Sequence, residues 1–176
     1  MDFLSAFRTP TRPEAQWFRV GLVSSFPEVG EDDENLSRPR TCDTQSKQAC
    51  RIFNIPKTAP SEGTEVPVPD GEVCGDMTDQ VMVFKHRGKI HAIDHQCPHS
   101  SFPLSQGTPF DIEDFGIALS AGITCPKHGW SFDLFSGRAD RGSYKLKVWE
   151  VQLRDPKTAE DPEDKEVWLR RKQRIG

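Results

Sequence analysis

Two short stretches constrain this chain more than anything else in it: Cys97-Pro98-His99 and Cys125-Pro126-Lys127-His128-Gly129. Each offers one thiolate and one imidazole, the side chains that take up soft and borderline metals. The 25 residues between them, 100–124, and the residues on either side read as strands. Two hairpin loops can therefore meet at their tips and enclose an ion or a cluster. Gly129 permits a tight loop beside His128. Pro98 and Pro126 stiffen the two loops so that ligand geometry is set in advance.

The rest of the chain reads as short antiparallel strands. Gln16–Phe26 is aromatic and β-branched. Cys50–Ile55 is a short strand. The proline-rich span from Pro56 to Pro69 is a linker or an edge segment, because proline removes ladder donors. Val81–Phe84, the Arg87-Gly88 turn and Ile90–Ile93 form a hairpin that delivers the chain to Cys97. A second strand pair brackets the other motif, ending in Trp130-Ser131-Phe132 with a turn at Ser136-Gly137. Lys145–Leu153 alternates through Leu146, Val148 and Val151, with Trp149 out of phase. Glu166–Arg170 is a last strand, with Val167 and Leu169 opposed to Trp168. Helical spacing is weak everywhere, Asp111–Leu119 being its one candidate. Residues 1–14 and 173–176 read as tails and 15–172 as one domain.

Charge and composition exclude several classes. A net charge of −4 gives no support to nucleic-acid binding. No run approaches the roughly 20 apolar residues of a membrane span, and the N-terminus lacks a secretory signal. A soluble, cytoplasmic monomer is expected. The polar stretch 31–40 reads as a solvated loop. Five cysteines, an odd number, argue against a disulfide framework. Cys42, Cys50 and Cys74 sit in polar or irregular sequence and read as free thiols.

The paired motifs resemble the Rieske [2Fe–2S] family. The resemblance extends to Gly88–Asp94 before the first loop, to Leu104 and Gly107 after it, and to Phe132-Asp133 and Ser136-Gly137 after the second, covering roughly 71–170. It implies an antiparallel β sandwich with a small cluster-binding subdomain, at about 94–137 here, in which about 108–121 is an insertion. It also implies one [2Fe–2S] cluster, held by Cys97 and Cys125 on a buried iron and by His99 and His128 on an outer one. Imidazoles in place of two thiolates make the site less negative and raise its potential. The two imidazoles are expected to titrate with redox state, and a potential independent of pH well into the alkaline range would count against this. The alternative for the same four residues is a tetrahedral zinc interaction module, although a Cys-x-His knuckle is unusual for zinc.

High-potential members of the family cross-link the two loops by a disulfide, and here Phe102 and Lys127 stand at those positions. Trp130 and Phe132 replace a Ser and a Tyr that donate hydrogen bonds to the cluster. Fewer donors imply a potential near the lower end of the family range, on the order of −150 mV.

Several residues invite other readings. His91, Asp94 and His95 suggest a mononuclear iron site, but read better as polar strand residues beside the cluster. Residues 130–176 contain no histidine, so an oxygenase's separate catalytic iron is not expected here. The 108–121 insertion either shapes a docking surface or is a tolerated excursion, and the second reading is preferred. Trp17, Trp149 and Trp168 read as packing residues. Trp130 either shields the centre from water or packs structurally. Arg170-Arg171-Lys172 and Arg174 read as a solvated basic tail. The expected function is one-electron transfer without a substrate site of the chain's own, ferredoxin-like, between a flavin reductase and an oxygenase or other acceptor. The alternative is an accessory subunit or module of a larger redox enzyme such as a nitrite reductase. The acidic balance mildly favours basic partner surfaces.

Overall fold

The computed structural model describes residues 16–29, 49–56, 62–68, 75–157 and 163–172. The two expected tails, the 31–40 loop, Cys42 and Cys74 lie outside the described residues. Eleven strands carry the fold: β1 (Phe18–Leu22), β2 (Glu28–Val29), β3 (Cys50–Asn54), β4 (Thr64–Val66), β5 (Gln80–His86), β6 (Lys89–Asp94), β7 (Thr108–Asp114), β8 (Ile117–Cys125), β9 (Trp130–Asp133), β10 (Trp149–Arg154) and β11 (Glu166–Arg171). Among the described residues there is no α-helix, only 3-10 turns at Val23–Ser25 and Leu104–Gln106. The fold is mostly β and largely antiparallel, as expected.

The strands form three sheets. One has the order β1-β11-β10, and one has the order β7-β8-β9. In the third, β3 lies between β4 and β5, and β6 pairs with β5. The short β2 pairs in parallel with Lys85 and His86 of β5. Because β6 also pairs with those two residues, β2 continues the β3 side of the strand. β4 sits at the edge of this sheet, as its proline-rich flanks require.

The central sheet is buried on both faces, and its sequence shows why. The run Val81-Met82-Val83-Phe84 is apolar without alternation, as a doubly covered strand must be. Val81 and Val83, with Phe53 and Ala92, pack against Phe18, Val20, Trp149, Val167 and Leu169 of the β1-β11-β10 sheet. Met82 and Phe84, with Ile52 and Ile93, pack against Ile123, Phe132 and Leu104 on the side of the two loops. Each fully buried large side chain stabilises the fold by about 1.5–3 kcal/mol relative to exposure.

Several expectations need correction. Asp111–Leu119 is not helical: it makes the β7–β8 hairpin, whose two-residue turn is Phe115-Gly116 at φ +49° and +76°. That conformation is the primed turn whose twist matches antiparallel strands, and Arg87-Gly88 uses the same one at φ +48° and +71°. Cys50 is not in irregular surroundings: it lies on β3, fully buried, and burial pushes its thiol up to about 12. Trp149 is the buried residue at the start of β10, and Leu153 is exposed. The phase shifts because Lys145 and Val148 make only isolated bridges, to Arg138 and Ile93, so the regular strand begins at Trp149. Finally, Arg171 belongs to β11 rather than to a tail, together with Arg170 of the expected last strand, which pairs with Glu150 at 2.5 Å.

His91 is buried rather than a polar strand residue beside an exposed cluster. Its ring stacks on Phe84, with centroids 5.5 Å apart. Burial, helped by Lys89 and His86, pushes its pKa down to about 4. The folded state therefore resists a proton that the unfolded chain takes up near pH 6.5. His91 contributes stability that is complete above pH 6.5, falls as the pH drops below that value, and is gone near pH 4. The loss is about 3 kcal/mol. Denaturant titrations at pH 7 and pH 4.5 are expected to show a smaller acid loss in His91→Phe than in the wild type. Parallel losses in the two proteins would refute this account.

Candidate metal centre

The first loop leaves β6 at Asp94 and is anchored from beneath by His95. That ring places its nitrogens 2.9 Å from Gln80 Oε1 and 2.9 Å from Ser105 Oγ. Burial pushes it down to about 4, so it is neutral, donating to the amide oxygen and accepting from the hydroxyl. The His95 N–H donates to the Gln80 carbonyl, and its own carbonyl accepts from the Leu104 N–H. Asp94 accepts from Trp149 Nε1–H at 2.8 Å. His91, Asp94 and His95 are thus each engaged in packing or hydrogen bonds, and they do not converge on a mononuclear iron.

Each loop closes on itself. Cys97 N–H donates to the Phe102 carbonyl, and Ser101 N–H to the Cys97 carbonyl, both at 2.9 Å. In the second loop, Gly129 N–H donates to the Cys125 carbonyl at 3.0 Å, and Gly129 takes φ +68°. This second loop is the turn between β8 and β9, so Cys125 and Trp130 stand directly opposite each other in the ladder.

The four residues read from the sequence are brought together as two unlike pairs. Cys97 and Cys125 are each 1% exposed, and their sulfurs share a hydrogen bond. The Cys125 thiol holds Cys97 down to about 5, while Cys125 itself is pushed up by that bond and by burial. Outside the two sulfurs lie the imidazoles, His99 half-buried and His128 exposed. Their ring centroids are 5.2 Å apart. His99 Nδ1 is buried and has no hydrogen-bond partner. An orphaned buried imidazole nitrogen costs free energy unless something fills it.

Three neighbours of the site were not singled out in the sequence. Ser100 Oγ lies 3.8 Å from Cys125 Sγ. Tyr144 meets His99 edge-on at 5.1 Å. Arg141 reaches the Gly129 carbonyl and lies over the Trp130 ring. Trp130 stacks on His99 at 4.2 Å and 18°, so it packs against the imidazole and covers one side of it. Phe132 is wholly buried in the core. Where high-potential relatives carry a disulfide, Lys127 Nζ lies 5.7 Å from the Phe102 ring centroid.

Among the described residues, no three His, Cys, Asp or Glu side chains group as a single-ion site would need. A dinuclear centre asks for two protein ligands on each metal, and the chain offers a sulfur pair and an imidazole pair. The family model of the Rieske [2Fe-2S] domain matches residues 49–150, more than half of the chain. The chain belongs to the Rieske family. A Rieske domain carries one [2Fe–2S] cluster, which sets the zinc alternative aside, and the buried sulfur pair and the unpartnered His99 Nδ1 fit that group.

Among similar proteins, a Rieske domain-containing protein of Homo sapiens is 38% identical over 98 residues, covering 54% of this chain and 51% of its own length. The ferredoxin component of the alkene monooxygenase system of Xanthobacter autotrophicus is 33% identical over 73 residues, covering 39% of this chain and 52% of its own. The Rieske chain thus spans about half the length of these two relatives. The terminal oxygenase of carbazole 1,9a-dioxygenase from Nocardioides aromaticivorans overlays at TM-score 0.48 with 15% identity, covering 93% of this chain and 33% of that one. No helix among the described residues is long and apolar enough to cross a membrane.

Proposed function

We propose that this Rieske protein is a one-electron carrier whose cluster is held by Cys97 and Cys125 on the inner iron and by His99 and His128 on the outer. The observation that carries the reading is the division of the site. The sulfurs are 1% exposed, whereas the imidazoles lie outside them and His128 is open to solvent. When bound, the cluster supplies a one-electron couple. The chain's own residues bury the sulfurs and leave an imidazole edge for contact. A ferredoxin role between a reductase and an oxygenase is supported by the likeness to a monooxygenase ferredoxin component. The accessory-subunit alternative differs by requiring co-purification with a large subunit in fixed ratio.

Absorption and EPR spectra of the purified protein, oxidised and then dithionite-reduced, test the reading. A red-brown protein that gains a rhombic EPR signal on reduction, and returns the electron to a one-electron acceptor, is the expected result. A colourless protein, or one that never reoxidises, would overturn it.

Ser100 adds a specific expectation. Once Cys125 is a thiolate, the nearby hydroxyl donates to it and stabilises the more negative, reduced state. A hydrogen bond worth about 1 kcal/mol corresponds to about 40 mV for a one-electron couple. The midpoint of Ser100→Ala is expected to fall by about that amount in protein-film voltammetry. An unchanged or higher midpoint would show that the hydroxyl does not serve the sulfur.

A further inference from the structure

The charge around the proposed electron exit runs opposite to the charge of the whole molecule. The chain is acidic overall, at −4. The first loop and its turn, residues 95–107, contain no charged side chain apart from the histidines. The second loop and the segment folded beside it, residues 126–146, carry Lys127, Arg138, Arg141 and Lys145 against Asp133 and Asp140. All four cations are exposed. Asp133 is half-buried, and its carboxylate is occupied by the Phe135 and Ser136 N–H groups and the Ser120 hydroxyl. Asp140 is paired with Arg141 at 2.7 Å. Lys127 sits between the two ligand positions of its loop, and Lys145 follows Tyr144, which touches His99.

The two imidazoles are not equally accessible. His99 is stacked under Trp130 and met edge-on by Tyr144. His128 is exposed, and its neighbours Pro126, Lys127 and Gly129 are exposed as well. A docking partner therefore meets the His128 edge first, with the exposed Lys127 next to it in the chain.

Resting on the electron-carrier reading above, we infer that the His128 face is a basic docking surface for a redox protein with an acidic contact face. This reverses the partner charge suggested by composition. Potential at a contact point is governed by charges within about a Debye length, 8–10 Å at physiological salt. Lys127, adjacent to His128 in the chain, falls within that range, and Arg138 and Lys145, bridged to each other on the segment that carries Tyr144, add to the same basic stretch.

Small redox probes test this without the partner. Reduced protein is mixed with ferricyanide, a trianion, or with hexaammineruthenium(III), a trication, and reoxidation is followed by absorbance over a range of salt concentrations. In each reaction one electron leaves the protein and reduces the probe. The ferricyanide rate is expected to fall as salt rises, and the hexaammineruthenium rate to rise. Lys127→Glu/Lys145→Glu, with an unchanged cluster spectrum, is expected to slow ferricyanide about tenfold at low salt and to invert its salt dependence. A paramagnetic chromium(III) trianion is expected to relax the EPR signal of the reduced wild type more than that of the variant. A ferricyanide rate that rises with salt in the wild type, or that ignores the double reversal, would overturn the basic surface while leaving the carrier intact. Transfer to neither probe would overturn the carrier reading and this surface with it.

Discussion

Cys125→Ser is expected to leave a folded chain with no cluster: colourless, without the EPR signal and without bound iron. The substitution is nearly isosteric at a site 1% exposed, and burying a hydroxyl there costs about 1–3 kcal/mol, less than typical domain stabilities. The chemical loss is far larger. Iron in such a cluster is held by thiolates, and a serine hydroxyl keeps its proton near neutral pH and is a hard oxygen donor. Cys97→Ser is expected to behave in the same way. Cys50→Ser provides the contrast. Cys50 is buried on β3 with its thiol pushed up to about 12, so it stays protonated and takes no part in the site. Its substitution is expected to cost some stability and to leave iron content unchanged. Iron and sulfide analysis with visible absorption checks all three. A Cys125→Ser protein that retains the wild-type spectrum would remove that residue from the ligand set.

Gly137→Ala is expected to destabilise the protein by about 3 kcal/mol or more. Gly137 lies in the turn after β9 at φ +73°, and a Cβ built there would stand 2.0 Å from the Leu146 carbonyl oxygen. The obstacle is backbone and cannot rotate away. The two residues are also bonded, Leu146 N–H to the Gly137 carbonyl at 2.8 Å, so this contact holds the 138–146 segment against the cluster sheet. Pushing it off would disturb buried Leu146 and the Tyr144 contact with His99. Gly116→Ala isolates the steric part. Gly116 has a similar φ, +76°, with nothing within 4 Å of its Cβ position, so only the conformational cost of about 1–2 kcal/mol applies. Urea denaturation of the two variants is expected to separate them by about 1–3 kcal/mol. Equal losses would show that the 137–146 contact is not tight.

Much of this architecture was legible because the signals are local. The apolar run 81–84, the Arg87-Gly88 turn and the alternation around Val167 and Leu169 each report a strand through its own residues. The four proposed ligands announced themselves by spacing. The misreadings have physical causes. In β8, Ile117, Leu119, Ala121 and Ile123 are alternate residues, but Ile117 and Leu119 are 66% and 64% exposed and only the last two are buried. The helical hint came instead from Ile112, Phe115 and Leu119, spaced i, i+3, i+7, but Phe115 is an exposed turn residue, and Phe115-Gly116 went unrecognised as a primed turn. Cys50 stands at the start of a strand that is legible locally, but its full burial comes from residues far along the chain that cover β3. Tyr144 and Arg141 reach His99 and Trp130 only through the turn at Gly137, a long-range closure that no local pattern encodes. Ser100 had a signal, its place beside His99, but its bond to the sulfur of the other loop depends on how the loop tips meet.

Pulsed EPR on dithionite-reduced protein grown with nitrogen-15 histidine tests the central claim most directly. Two inequivalent directly bound histidine nitrogens are expected, with one lost when either His99 or His128 is replaced. A reduced centre that shows no histidine coupling, or that keeps both couplings in His128→Ala, would contradict the assignment of two imidazoles to one iron.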